Sequence, residues 1–294
     1  MNAIEIKHLT KSYGKARGIV DLSLTVAEGE CFGFIGPNGA GKSTTIRTLL
    51  GFIQPTAGSA SVFGKDIGKD SEAIRAFTGY LPSEAQFYHG MRVSEILKLS
   101  ADLQGADCRE ESGLLCERLQ LDTTRKADDL SFGNRKKVAI VCALQHKPKL
   151  LVLDEPTSGL DPLMQHAFFD IIRERNAAGD TVFLSSHILS EIEHNCTRAA
   201  VIREGAVIAC DSVSALAGKK AKRVTLRGDM LSSLSDRLTA LSGVKNLTET
   251  GKATQFFFDG HVPELMRLLA EAEVPDVTMA EPELEEIFMH FYTE

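Results

Sequence analysis

Phe34-Ile35-Gly36-Pro37-Asn38-Gly39-Ala40-Gly41-Lys42-Ser43-Thr44 fits the pattern G-x-x-x-x-G-K-[ST], and its setting decides the fold. The apolar run Cys31 to Ile35 leads in and Thr45 to Leu50 has helical character, so the order is strand, glycine loop, helix. Glycines at 36, 39 and 41 let backbone N–H groups turn inward on a polyphosphate, with Pro37, Asn38 and Ala40 between them. Lys42 reaches the β/γ oxygens, the Ser43 hydroxyl can ligate Mg²⁺, and Thr44 continues into the helix. A chance glycine-rich turn lacks both flanks. The stretch therefore predicts a nucleoside triphosphate site on an α/β scaffold.

The whole chain has 294 residues, 43% of them hydrophobic and 25% charged, which is enough for one sizeable domain and a smaller one. No apolar run approaches a membrane span, and Met1-Asn2-Ala3-Ile4-Glu5 lacks the basic-then-apolar layout of a signal peptide, so a cytosolic protein is expected. Cys31, Cys108, Cys116, Cys142, Cys196 and Cys210 form no C-x-x-C pair and read as reduced thiols. A formal net charge of −7 argues against nonspecific nucleic-acid binding. Two basic clusters, Arg135-Lys136-Lys137 and Lys219-Lys220-Ala221-Lys222-Arg223, read as solvated faces, the second in a linker.

Ile4 to Thr10, Ile19 to Val26 and a run from Gly58 to Val62 read as strands around the nucleotide loop. From Val93, the spacing of Ile96, Leu97, Leu103, Leu114, Leu115 and Leu119 predicts a helical insert. Leu150-Leu151-Val152-Leu153 is a continuous apolar run, the mark of a strand covered on both faces, and Thr181 to Ser185 and Ala199 to Ile202 repeat it. After Cys210 the pattern becomes strand (Val224 to Leu226), helix (Met230 to Leu241), two strands (from Val244 and Thr254), helix (Val262 to Ala272) and strand (Val274 to Met279). A last helix opens at Pro282. The order βαββαβ suggests a ferredoxin-like second domain.

Two constellations carry chemistry. Asp154-Glu155 follows the buried run, so Asp154 stands where a parallel strand end can hold Mg²⁺ and Glu155 where it can polarise an attacking water. Leu130-Ser131-Phe132-Gly133-Asn134 opens a helix, whose bare N–H groups and small hydroxyl make a second anion site; a simple N-cap explains Ser131 equally well.

With these motifs the chain resembles the ATP-binding cassette (ABC) ATPases. Gly36 to Ser43 is similar to that family's phosphate loop, Leu130 to Asn134 to its signature, and Leu151 to Glu155 to its magnesium and base strand. Ser158-Gly159-Leu160-Asp161 is similar to its D-loop and His187 to its switch histidine, all in the family's order. The resemblance implies a P-loop NTPase fold over residues 1–215, a helical signature subdomain at about 83–148, and a small C-terminal α+β domain at 216–294. It further implies ATP and Mg²⁺, and a mechanism that needs two subunits packed head to tail. ATP on one phosphate loop is covered by Ser131, Gly133 and Asn134 of the other subunit. His187 contacts the γ-phosphate, Asp161 links the two sites, and Tyr13 stacks on adenine.

Two departures stand out. The family's glutamine after a Gly-Tyr-x-Pro turn is replaced in Gly79-Tyr80-Leu81-Pro82-Ser83-Glu84, so its metal role falls to Ser83 or Glu84. The signature has Phe132 and Asn134 where glycine and glutamine are common, while Ser131 and Gly133 are kept. Together with an appended domain ending Leu284-Glu285-Glu286-Ile287-Phe288, these departures resemble the ATPase subunits of bacterial type-two exporters. The expected partners are a second copy or close homologue and a membrane permease met by Phe87 to Arg92, which puts the chain on the inner face of the cell membrane. The rival reading is a cassette ATPase acting on ribosomes or DNA without a permease; another casts the C-terminal domain as a small-molecule sensor.

Overall fold

A computed structural model describes residues 1–14, 16–216, 222–228, 234–251 and 253–280, with Ala16 and Arg17 as backbone only. The chain divides into two compact units, Met1–Val213 and Ser214–Glu294.

The first unit opens on the antiparallel pair β1 (Asn2–Tyr13) and β2 (Ala16–Ala27). Ile4 and Ile6 of β1 and Leu22, Leu24 and Val26 of β2 are buried at the strand period of two, so this sheet has one wet face. Next come β3 (Cys31–Ile35), the glycine loop, α1 (Lys42–Leu49), β4 (Ala57–Val62) and the short β5 (Lys65–Asp66). They complete a four-stranded sheet in the order β2-β1-β4-β5. After α2 (Ser71–Ala76) and β6 (Thr78–Leu81) the helical insert forms as α3 (Val93–Gln104) and α4 (Arg109–Arg118), separated at Gly105, whose φ of 63° ends α3. A 3₁₀ turn (Ala127–Asp129) leads to α5 (Phe132–Leu144).

The chain then alternates β7 (Leu150–Asp154), α6 (Pro162–Ala177), β8 (Thr181–Ser186), α7 (Leu189–Asn195), β9 (Arg198–Arg203) and β10 (Ala206–Ser212), before α8 (Val213–Leu216). A six-stranded sheet has the order β10-β9-β3-β8-β7-β6, parallel throughout except for β10. Every residue of β3, β7 and β8 is buried, which is why those segments are continuously apolar until they end. Phe183 packs against Phe32 and Phe34, with ring centroids 5.9 and 5.3 Å away, and this cluster joins Ile4, Leu22 and Ile46 in one core. Because five strands are parallel, the loops after β3, β6, β7 and β8 all emerge at one edge. Among the described residues no helix is long and apolar enough to cross a membrane.

The second unit contains β11 (Lys222–Arg227), α9 (Ser235–Ala240), β12 (Val244–Thr250), β13 (Ala253–Phe258), α10 (Val262–Glu271) and β14 (Asp276–Ala280). Its antiparallel sheet runs β12-β13-β11-β14, the split βαβ arrangement, around Val224, Leu226, Leu238, Phe256, Phe258, Leu265 and Leu269. Lys222 and Arg223 begin β11, so the basic run enters a strand instead of staying in a linker. Lys219 to Ala221, the first turn expected from Met230 and the helix expected from Pro282 lie outside the described residues.

Candidate functional site

The glycine loop packs too tightly at its base for any side chain. A Cβ on Gly36 would lie 2.5 Å from the Ile202 carbonyl oxygen and 2.7 Å from Ile202 Cγ2. Gly41, the N-cap of α1, has φ 111°, a conformation that a side chain rarely adopts. Pro37, Asn38 and Gly39 are exposed, Ala40 is buried, and Ser43 and Thr44 are half-buried. Lys42 starts α1, is 5% exposed, and donates from Nζ to Gly36 O at 2.5 Å. Its ammonium therefore lies folded over the loop, at a helix N-terminus with no acidic residue in its first turn.

Two carboxylates stand at the end of β7, and the second of them pairs with this cation. Asp154 is fully buried; its Oδ1 accepts from Ser185 Oγ at 2.7 Å, while Oδ2 has no partner among the described residues. Glu155 has φ 49°, a left-handed turn held by its N–H donating to Ser185 O at 3.0 Å. That turn puts Glu155 Oε1 3.0 Å from Lys42 Nζ, as an ion pair whose angle makes no hydrogen bond. Glu155 Oε2 lies 2.5 Å from Nδ1 of His187, the residue just after β8. The ends of β3, β7 and β8 thus bring Lys42, Glu155 and His187 together, beside an Asp154 oxygen that lacks a donor. A buried carboxylate oxygen without a donor costs free energy unless a cation meets it, so the donor set fits a hard cation such as Mg²⁺.

The other residues singled out by sequence stand apart from this cluster in their bonding. Ser131 is the N-cap of α5, its Oγ accepting from Asn134 N at 3.3 Å. A Cβ on Gly133 would sit 2.4 Å from the Gly159 carbonyl oxygen, so the opening of α5 rests on the loop that ends at Asp161. Asp161 caps α6 by accepting from Met164 N at 3.0 Å. Tyr13 ends β1, 45% exposed, with Lys11 Nζ 5.2 Å from its ring centroid. Glu84 is exposed, and the Ser83 carbonyl accepts from Lys136 Nζ at 2.9 Å.

Lys136 corrects the expectation of a solvated basic face. It is 2% exposed and also donates to Pro82 O at 3.0 Å, tying α5 to the loop after β6. Burial pushes its ammonium down to about 8, although the nearby Asp154, Glu155, Glu191 and Glu84 charges act the other way. The signal was present in the sequence: Lys136, Ile140 and Ala143 share the apolar face of the helix. Ser185 and Glu191 were also missed, because a serine in a strand and a glutamate in a helix carry no pattern of their own.

The sequence pattern of the family described as ABC transporter matches residues 19–158. The bacitracin transport ATP-binding protein BcrA of Bacillus licheniformis is 37% identical over 70% of this chain and 68% of its own length. The linearmycin resistance ATP-binding protein LnrL of Bacillus subtilis (strain 168) is 30% identical over 98% of this chain and 97% of its own, so the likeness extends through the second unit. A solved structure described as the ATP binding subunit of an ABC transporter superposes with a TM-score of 0.70 at 31% identity, covering 81% of this chain and 99% of that one. Given a relative that matches 98% of it and a strand edge that sets a phosphate-loop lysine 3.0 Å from the Glu155 carboxylate, the chain belongs to the ATP-binding proteins of the ABC transporter family and is an ATPase.

Proposed function

We propose that the chain is the ATP-hydrolysing motor subunit of an exporter, working as a dimer whose closure over ATP drives a separate membrane permease. One observation carries the hydrolysis: Lys42, Glu155 and His187 meet within 3.0 Å beside the donorless Asp154 Oδ2. The N–H groups of the exposed residues Asn38 and Gly39 and the Lys42 ammonium receive the β/γ phosphates, which take over the lysine from Gly36 O and Glu155. Asp154 and Ser43, with Ser83 or Glu84, would hold Mg²⁺, which would supply positive charge to neutralise the phosphates. Glu155 then accepts the proton of the attacking water. His187, fixed by its bond to Glu155 Oε2, orients that water against the γ-phosphate.

Tyr13 offers adenine the face that Lys11 does not cover. Ser131, Gly133 and Asn134 act on the partner subunit's nucleotide, an anion role consistent with the absence of acid from the first turn of α5. Asp161 joins the two sites across the dimer. A 520 Å³ groove lined by Glu84, Phe87, His89, Asp128, Phe132 and Arg135 has room for a cytoplasmic helix of the permease, and docking there would hold the subunit at the inner face of the membrane. The names of BcrA and LnrL, one for bacitracin transport and one for linearmycin resistance, support outward traffic. Affinity purification of the tagged chain from detergent-extracted membranes tests the subunit reading. A multi-span protein recovered with it is the expected result, and recovery solely with ribosomes or DNA favours the rival cassette class.

A further inference from the structure

Glu191 stands in the first turn of α7 and is 8% exposed, yet it is an acid. Each of its oxygens is held by a hydroxyl: Thr157 Oγ1 donates to Oε1, and Ser186 Oγ donates to Oε2 at 2.6 Å. Burial pushes this carboxyl up, and the two hydroxyls pull it back. A carboxylate in such a place costs more than an apolar side chain of the same size, so its partners say what it accomplishes.

Those partners are informative. Thr157 lies just past Glu155 and Pro156, and Ser186 directly precedes His187. Ser186 Oγ also accepts from Ile188 N at 2.9 Å, closing the turn that carries the histidine. The far end of α7 is pinned to the same residue, since Asn195 Nδ2 donates to Glu191 O at 2.8 Å. One side chain therefore grips the two segments that carry Glu155, two residues before Thr157, and His187, one after Ser186, whose Oε2 and Nδ1 meet at 2.5 Å.

We propose that Glu191 is a positioning residue for hydrolysis, setting the spacing of Glu155 and His187 by holding Thr157 and Ser186 together. The proposal rests on the reading of Glu155 and His187 as the pair that handles the attacking water. Glu191 touches neither phosphate nor water, and its effect passes through that pair.

The test is a cycle on the full chain, with Mg-ATP as substrate, made of Glu191→Ala, His187→Ala and the double variant. A displacement near 1 Å in the pair costs roughly 10²-fold. Glu191→Ala is therefore expected to lower kcat by about 10- to 10²-fold while the ATP affinity of the resting chain, read by calorimetry, stays unchanged. In the His187→Ala background the same change should cost less than about 2-fold, because the geometry it protects is already gone. Glu191→Gln, whose carbonyl accepts from one hydroxyl while its amide donates to the other, should recover most of the loss. If Glu191→Ala does not fold, Thr157→Val removes one grip at constant shape and carries the same cycle. Loss in His187→Ala with none in Glu191→Ala sinks the proposal alone. Full multiplication of the two losses also overturns it, since that marks general destabilisation. Wild-type turnover in His187→Ala removes the underlying reading, and the proposal falls with it.

Discussion

Replacing Glu155 by glutamine separates binding from chemistry at this site. The change keeps side-chain size, so the amide can still meet His187, but it removes the charge 3.0 Å from Lys42 Nζ and the group that accepts a proton. Loss of a general base costs about 10²- to 10⁴-fold in rate, equivalent to roughly 3–5 kcal/mol of barrier. Binding should move the other way. A carboxylate beside the phosphate loop repels an incoming triphosphate, and its neutralisation frees Lys42 of its one charged partner, leaving the Gly36 and Pro37 carbonyls at 2.5 and 3.4 Å. ATP affinity is therefore expected to hold or rise, and the dimer to accumulate closed with its nucleotide unhydrolysed. Steady-state phosphate release gives the first quantity, calorimetry with Mg-ATP the second, and size-exclusion chromatography the third. Turnover within a few-fold of wild type would refute the assignment of Glu155, and weakened ATP binding would refute the charge argument.

Lys42→Ala should abolish measurable ATP binding by calorimetry, because it removes the cation facing the β/γ phosphates; undiminished affinity contradicts the loop assignment. Gly133→Ala puts a Cβ 2.4 Å from the Gly159 oxygen and must shift the opening of α5, so hydrolysis should fall by about 10²-fold. Mixing Gly133→Ala with Lys42→Ala subunits should restore hydrolysis, since such a dimer keeps one site with an intact loop and an intact partner helix; no recovery argues against the shared site. Lys136 supplies a pH test. Its folded value near 8 lies below the ordinary 10.5, so the folded chain holds fewer protons than the unfolded one between those limits. By linkage this group's part of the unfolding free energy rises with pH across that window, by on the order of 3 kcal/mol in total. Urea midpoints at pH 8 and 10 should show that rise in the wild type and lose it in Lys136→Met.

The parallel sheet was legible because burial on both faces leaves continuous apolar runs, as at Leu150 to Leu153 and Thr181 to Ser185. The phosphate loop was legible for a different reason: Gly36 and Gly41 answer to backbone constraints that few other residues satisfy. What pattern could not supply was which side chains meet. The contact of Glu155 with His187 spans 32 positions in sequence and depends on β7 and β8 being neighbours. At Lys136 charge and helical phase point opposite ways, and the phase, which sets it among Ile140 and Ala143, prevails. Glu191 left no trace at all, since its partners come from separate places, Thr157 from the loop after β7 and Ser186 from the end of β8.

The backbone of Glu155 adopts a φ of 49°, a conformation that a non-glycine residue holds at a cost of about 1–3 kcal/mol. Glycine at that position would relieve the cost and lose the carboxylate. Selection for folding and selection for turnover therefore pull in opposite directions at this one residue. A variant library sorted only on expression or melting temperature will enrich chains that are sturdier than the natural one and hydrolyse about 10²- to 10⁴-fold more slowly.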